Sequence, residues 1–251
     1  MRSFVFYLCL ALLPAGCAGT LDPTKDWSAE RFYTEGKDAL ASKNYAAAIK
    51  HFETLEARYP YGPYAEQAQL EIAYAYYKDE EPASAIASAD RFIRSHPTHP
   101  HVDYAYYLKG LASYNEQPTF LDRLVGKYDL SDRDPKAARE AFEAFRELVT
   151  RFPTSKYAKD ATRRMHRLMQ ALAQNEIHVA SYYFSRAAYV AAVNRCKYVI
   201  EHYQLTPAIE DALGIQVKAY KMMGLDQLAN DTLRVLEQNF PHSRYIEELK
   251  I

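Results

Sequence analysis

The sequence predicts an all-α protein built from five stacked helical hairpins. Three observations carry that expectation. Across Asn44–Pro60, the residues Tyr45, Ala48, Ile49, Phe52, Leu55 and Tyr59 recur at steps of three or four, the spacing of one helix face. An Ala stands twelve residues before a Pro at Ala48–Pro60, and the spacing returns at Ala85–Pro97, Ala141–Pro153 and Ala229–Pro241. A fifth copy, Ala192 to Gln204, keeps the Ala and has lost the Pro. Lastly, only 8 Gly and 12 Pro in 251 residues leave little room for an all-β or disordered chain.

The first hairpin runs from about Ala29 to Pro60. Phe32, Gly36, Ala39 and Leu40 mark its first helix, and Ser42-Lys43-Asn44 makes the turn. Asn44 can cap the second helix, and Pro60 ends it because proline lacks an N–H and disfavours a helical residue before it. This order of aromatic, Gly, Ala, aromatic and Pro resembles a tetratricopeptide repeat, which implies a right-handed superhelical array. The second hairpin, from Pro63 to about Ser95, carries Leu70, Ala73, Tyr76, Tyr77, Ala85, Ala89 and Phe92. The third opens with Tyr104, Tyr107, Leu108 and Gly110 and closes with Ala141, Phe145, Leu148 and Pro153.

That third hairpin is interrupted. Gly110 precedes Ala141 by thirty-one residues, whereas Gly36 precedes Ala48 by twelve, so an insertion loop of about nineteen residues is expected. Asp134 can cap the helix that follows, with Pro135 in its first turn. The fourth hairpin starts with a long stretch, about Tyr157–Arg186, free of Gly and Pro. Its second helix is expected over Tyr189–Tyr203, with Val193, Cys196, Val199 and Ile200 inward. The fifth spans Pro207 to Pro241, and Tyr245, Ile246 and Leu249 suggest a short capping helix.

The N-terminus reads as an address. Arg2 precedes an apolar run from Phe4 to Leu13, too short to span a bilayer and suited to a secretory signal. Leu13-Pro14-Ala15-Gly16-Cys17 resembles a bacterial lipobox, although Pro14 holds the place where Leu is usual. Residues 1–16 are then a signal peptide, Cys17 the lipidation site, and 17–28 a lipidated tether. Ala18, rather than Asp, after the Cys favours the outer membrane by analogy. Removal of the signal leaves Cys17 and Cys196, and no pair to oxidise. A net charge of −1 gives no sign of a nucleic-acid binder.

No catalytic spacing is present: no His-Glu-x-x-His, no Gly-rich phosphate loop and no Gly-x-Ser-x-Gly. The His96-Pro97-Thr98-His99-Pro100-His101 cluster reads as a linker between hairpins rather than a metal site, and Cys196 as packing. No enzyme activity, cofactor or metal is expected. The tyrosine stripe (Tyr74, Tyr76, Tyr77, Tyr104, Tyr106, Tyr107) divides between core and groove in a way the sequence leaves open.

Several segments resemble one family. They are Arg58-Tyr59-Pro60-Tyr61-Gly62-Pro63-Tyr64, Tyr74-Ala75-Tyr76-Tyr77-Lys78, Arg91-Phe92-Ile93-Arg94, Pro97-Thr98-His99-Pro100, Ser131-Asp132-Arg133-Asp134-Pro135 and Val193-Asn194-Arg195. The chain after Cys17 is similar to the BamD family, the tetratricopeptide lipoprotein subunit of the outer-membrane β-barrel assembly machinery. The resemblance implies a scaffold on the periplasmic face of the outer membrane. It implies that residues 29–115 receive targeting segments of unfolded outer-membrane proteins, with Tyr64, Tyr74, Tyr77 and Arg94 as a groove. It implies that residues 136–251, after an insertion over 116–135, dock the POTRA domain of a BamA-like insertase and accessory Bam lipoproteins. Arg195 matches the family's arginine that pairs with an acidic POTRA residue. On the repeats and lipobox alone, a periplasmic adaptor lipoprotein for cell-wall or division proteins is the alternative.

Overall fold

The computed structural model describes residues 23–114 and 134–249, and these are all helix, turn or loop. Cys17 and most of the insertion lie outside the described residues. The helices are α1 (Ala29–Ala41), α2 (Tyr45–Arg58), α3 (Pro63–Lys78), α4 (Pro82–Ser95), α5 (Val102–Ser113), α6 (Pro135–Arg151), α7 (Ala158–Ser185), α8 (Tyr189–His202), α9 (Ala208–Met222), α10 (Asp226–Asn239) and α11 (Arg244–Leu249). Each helix packs against the next in sequence, and the first helix of a pair also touches its counterpart at α1–α3, α3–α5 and α7–α9. Among the described residues no helix is long and apolar enough to cross a membrane.

The caps follow the sequence. Asn44 accepts from the Ala47 N–H at 3.2 Å, and Asp134 from the Lys136 N–H at 2.8 Å, with Pro135 in the first turn. Four of the turns within pairs share one shape. Lys43, Glu80, Ala187 and Gly224 adopt φ of 61°, 61°, 57° and 71°. The next N–H reaches back over the helix end: Asn44 to Ala39, Glu81 to Tyr76, Ala188 to Tyr183 and Leu225 to Tyr220, at 2.8–3.0 Å. Only the last of these left-handed positions is a glycine.

The second helices end alike as well. Tyr59, His96, Phe152, Tyr203 and Phe240 have φ between −135° and −126°. Each donates its N–H to the carbonyl four residues back at 2.8 Å. Tyr203 does so with Gln204 after it, so the proline is not what makes this ending. The Thr206 N–H and Oγ1 both bond the Tyr203 carbonyl, at 3.0 and 2.8 Å, and hold the turn there.

Volume matching closes the pairs. A Cβ built on Gly36 would stand 2.5 Å from the Phe52 ring, and one on Gly110 would stand 2.4 Å from the Phe145 ring. Where the second pair has Ala73 opposite Ala89, Leu108 of α5 fills the space. Phe32, Phe52, Leu55 and Ile72 form the N-terminal core, and the central core runs from Leu70 and Phe92 to Cys196 and Ala212. The α11 helix closes the far end: Tyr245 and Ile246 pack on Leu213 and Leu236.

The connections between pairs place a hydrogen-bond acceptor at one position. Ser155 Oγ accepts from the Tyr157 N–H at 3.1 Å and Ser243 Oγ from the Tyr245 N–H at 3.3 Å. In the second connection the acceptor is His99 Nδ1, which takes the His101 N–H at 3.0 Å. That bond requires an unprotonated Nδ1. Burial against Phe92 lowers the His99 pKa below 6.5, outweighing the opposing pull of Glu66, whose Oε2 lies 3.5 Å from Nε2.

Two outcomes follow from this packing. Gly36→Ala should cost about 1–3 kcal/mol in urea unfolding, and adding Phe52→Leu should recover part of it. The His99 contribution is full above pH 6.5, where the ring is neutral folded or unfolded. As pH falls through that value the unfolded chain takes the proton first, so stability declines. The thermal midpoint should therefore drop more between about pH 7 and 5 in the parent than in His99→Ser.

Candidate functional site

Two surfaces carry Tyr64, Tyr74, Tyr77 and Arg195, four of the residues singled out by sequence. The first lies on the first helices of the N-terminal pairs. Tyr64, at the start of α3, sets its ring 5.5 Å from Tyr33 of α1. The Tyr33 hydroxyl donates to Glu71 at 3.4 Å, and Lys37 Nζ bonds the same carboxylate oxygen at 2.6 Å. Burial first, then the Glu71 charge, pushes the Tyr33 hydroxyl up to about 12, so it is a donor at any working pH. Tyr74 and Tyr77 pack with Tyr104 against Ala73, Ala89 and Leu108. Tyr77 also walls a cavity of about 190 Å³ with Glu80, Pro82, Leu111 and Ala112.

The surface continues onto α5 and α7. Tyr157 stacks on Tyr107 at 4.7 Å and on Tyr104 at 5.2 Å. The Tyr107 hydroxyl donates to Asp160 Oδ2 at 2.7 Å, where Arg164 Nε also binds at 2.6 Å. Burial alone would raise the Asp160 carboxyl, but the bonds from Tyr107 and Arg164 prevail and hold it below its ordinary range. Tyr106 points elsewhere: it is buried and accepts a hydrogen bond from Arg151.

Arg94 is not brought to these tyrosines. The buried residues of α4 are Ala85, Ser88, Ala89 and Phe92. Arg94 lies nine residues past Ala85, about two and a half turns, which sets it on the opposite side of the helix, exposed. The cation that shares the Glu71 carboxylate with Tyr33 is Lys37. Tyr33 and Tyr157 were not singled out from sequence. A signal for Tyr157 was present, because Tyr64, Tyr157 and Tyr245 each stand four residues after the Pro of the preceding connection.

The second surface surrounds Arg195 on α8. Its Nη1 donates to Glu176 Oε2 of α7 at 3.0 Å. Glu176 is buried, whereas the Arg195 side chain keeps 45% of its exposure. The Glu176 bond raises the Arg195 pKa. Arg195, though exposed, thus satisfies a buried carboxylate. Its open side borders a cavity of about 400 Å³ with Tyr183, Ala191, Asn194 and Tyr198. A fixed, half-exposed guanidinium between two tyrosines is suited to an acidic partner. Cys196, next in sequence, is fully buried, and burial pushes its thiol up to about 12, leaving no thiolate for chemistry.

A family model described as outer membrane lipoprotein, YfiO, matches residues 25–236. The chain belongs to this family. Among YfiO-type relatives, a protein of Neisseria meningitidis serogroup B named outer membrane protein assembly factor BamD is 50% identical over 254 residues, covering 99% of this chain and 95% of that one. Its namesake from Neisseria gonorrhoeae is 51% identical over 252 residues, with 98% and 94% covered. The Vibrio cholerae namesake is 38% identical over 232 residues, with 92% and 95% covered.

Arg195→Ala should lower stability by about 1–2 kcal/mol, because it leaves Glu176 buried and unpaired on a half-exposed site. Arg195→Glu should cost more. The loss from Arg195→Ala should shrink when Glu176→Gln is added, as read by urea unfolding. A loss unchanged in that background would break the assignment of the pair.

Proposed function

We propose that the protein is a lipid-anchored scaffold, without catalysis, that supports assembly and insertion of β-barrel proteins from the periplasmic face of the outer membrane. One observation carries the reading: near-full-length identity of 50% to a relative named as an assembly factor for outer membrane proteins. Cys17 carries the acyl anchor. Residues 29–115 take targeting segments of unfolded outer-membrane proteins on the tyrosine surface. Residues 136–251 dock the insertase POTRA domain and accessory lipoproteins, with Arg195 facing an acidic residue of the insertase.

The physical support is the character of the two surfaces. Partly buried tyrosines, with the Tyr33 and Tyr107 hydroxyls tied, offer rings to an extended, aromatic-ended segment at little entropic cost. The Lys37 amine, exchangeable from Glu71, supplies the cation that a terminal carboxylate needs on this face. At the second surface, the Glu176 bond holds the guanidinium in place before the partner arrives.

The test separates docking from folding. Asn194 is exposed beside Arg195 and takes no part in the Glu176 pair. Asn194→Glu should weaken co-purification of the insertase while leaving the melting temperature unchanged. Intact co-purification would remove this surface from the interface. Cys17→Ser should release the protein in soluble form into the periplasm, and membrane retention of that variant would defeat the anchor.

A further inference from the structure

The start of the described chain is clamped to one corner of the array. The Thr24 carbonyl accepts from Arg58 Nη1 at 2.6 Å, and the Trp27 carbonyl accepts from the Tyr59 hydroxyl at 2.7 Å. The Trp27 ring lies 5.1 Å from Phe32 and 5.8 Å from His51, with the Arg31 guanidinium 4.4 Å above it. The chain thus enters the fold beside the connection from α2 to α3. From Cys17 to Thr24 is seven residues, which span at most roughly 25 Å when fully extended. An acyl group on Cys17 keeps this corner within that distance of the bilayer.

The same corner displays an aromatic side chain that is almost fully exposed. Tyr61 is 92% exposed. Pro60 and Pro63 fix their own φ angles on either side of it. Gly62, at φ +105°, turns the chain between Tyr61 and Pro63 in a conformation that L side chains rarely adopt. Tyr61 is therefore held out on a stiff loop. The equivalent residues of other connections, one past the Pro, are Thr98, Thr154 and His242, all exposed and polar. Leu205, in the fourth connection, is also apolar and 83% exposed, but that loop is distant in sequence from the clamp.

We infer that the Tyr59–Tyr64 loop is a membrane-contact site, with Tyr61 seated at the headgroup level of the leaflet that holds the acyl chains. Tyrosine suits that boundary because its ring is apolar and its hydroxyl stays wet. The contact would set the orientation of the array, since a lipid anchor alone leaves the body free to swing. The inference rests on the lipidation of Cys17 proposed above.

The test uses the full lipidated protein in phosphatidylethanolamine–phosphatidylglycerol vesicles, with an environment-sensitive probe attached to Tyr61→Cys or, as the control, to Leu205→Cys. Mass spectrometry first establishes acylation of Cys17. In acylated protein the probe at 61 should shift to the blue and lose access to aqueous iodide, while the probe at 205 should do neither. A probe at 61 that stays in water on acylated protein overturns the membrane contact and leaves the anchor standing. Protection at 61 only after unfolded outer-membrane protein is added assigns the loop to protein instead. Equal insertion at both positions shows general stickiness and overturns the tethered contact. A Cys17 without acyl chains overturns the anchor, and this inference with it.

Discussion

At the crossing of two helices, one side must yield volume to the other. Gly36 gives way to the Phe52 ring and Gly110 to the Phe145 ring, each at a distance no Cβ could share. Burying such a ring contributes about 2–3 kcal/mol, and it can be buried only while the opposing position stays small. The second pair solves the same problem with Ala73, Ala89 and a leucine borrowed from α5. That borrowing joins one pair to the next, so the pairs stack into a continuous core rather than folding singly.

Both helices of a pair bury large side chains, Phe32, Ile72 and Leu108 on the first helices and Phe52, Phe92 and Phe145 on the second, and the first helices also carry the face on which the tyrosines gather. The tyrosine rings are partly buried between helices, and the hydroxyls of Tyr33 and Tyr107 are tied to Glu71 and Asp160. Such a face is rigid but still offers aromatic edges and the acceptor lone pairs of the tied hydroxyls. The Arg195 surface follows the same logic with charge. A buried Glu176 fixes the guanidinium from one side, and the other side remains open beside Tyr183 and Tyr198. In both places a polar group is already satisfied inside the protein and presents its remaining capacity outward.

Much of this was legible in the sequence. The Ala-to-Pro spacing located each second helix within a residue or two, and Asn44 and Asp134 cap as their side chains suggest. The loss of Pro at Gln204 changed nothing, because the bond from the Tyr203 N–H ends the helix without it. Other features were not legible. The pairing of Arg195 with Glu176 depends on the register of the 28-residue α7 against α8, which no local spacing specifies. The outward direction of Arg94 could have been read, since it stands opposite Ala85 and Phe92 on the helical wheel of α4. The stack of Tyr157 on Tyr104 and Tyr107 joins residues separated by the insertion, where the repeat spacing is broken.

The central claim is that the first-helix face grips unfolded outer-membrane proteins while the outer side of the second helices does not. Site-specific photo-cross-linking in cells measures this directly, with the photoreactive residue placed at Tyr74 or at Arg94 during synthesis of a β-barrel substrate. The account predicts cross-links to the substrate from Tyr74 and none above background from Arg94. Equal capture from both positions, or capture from Arg94 alone, would contradict it.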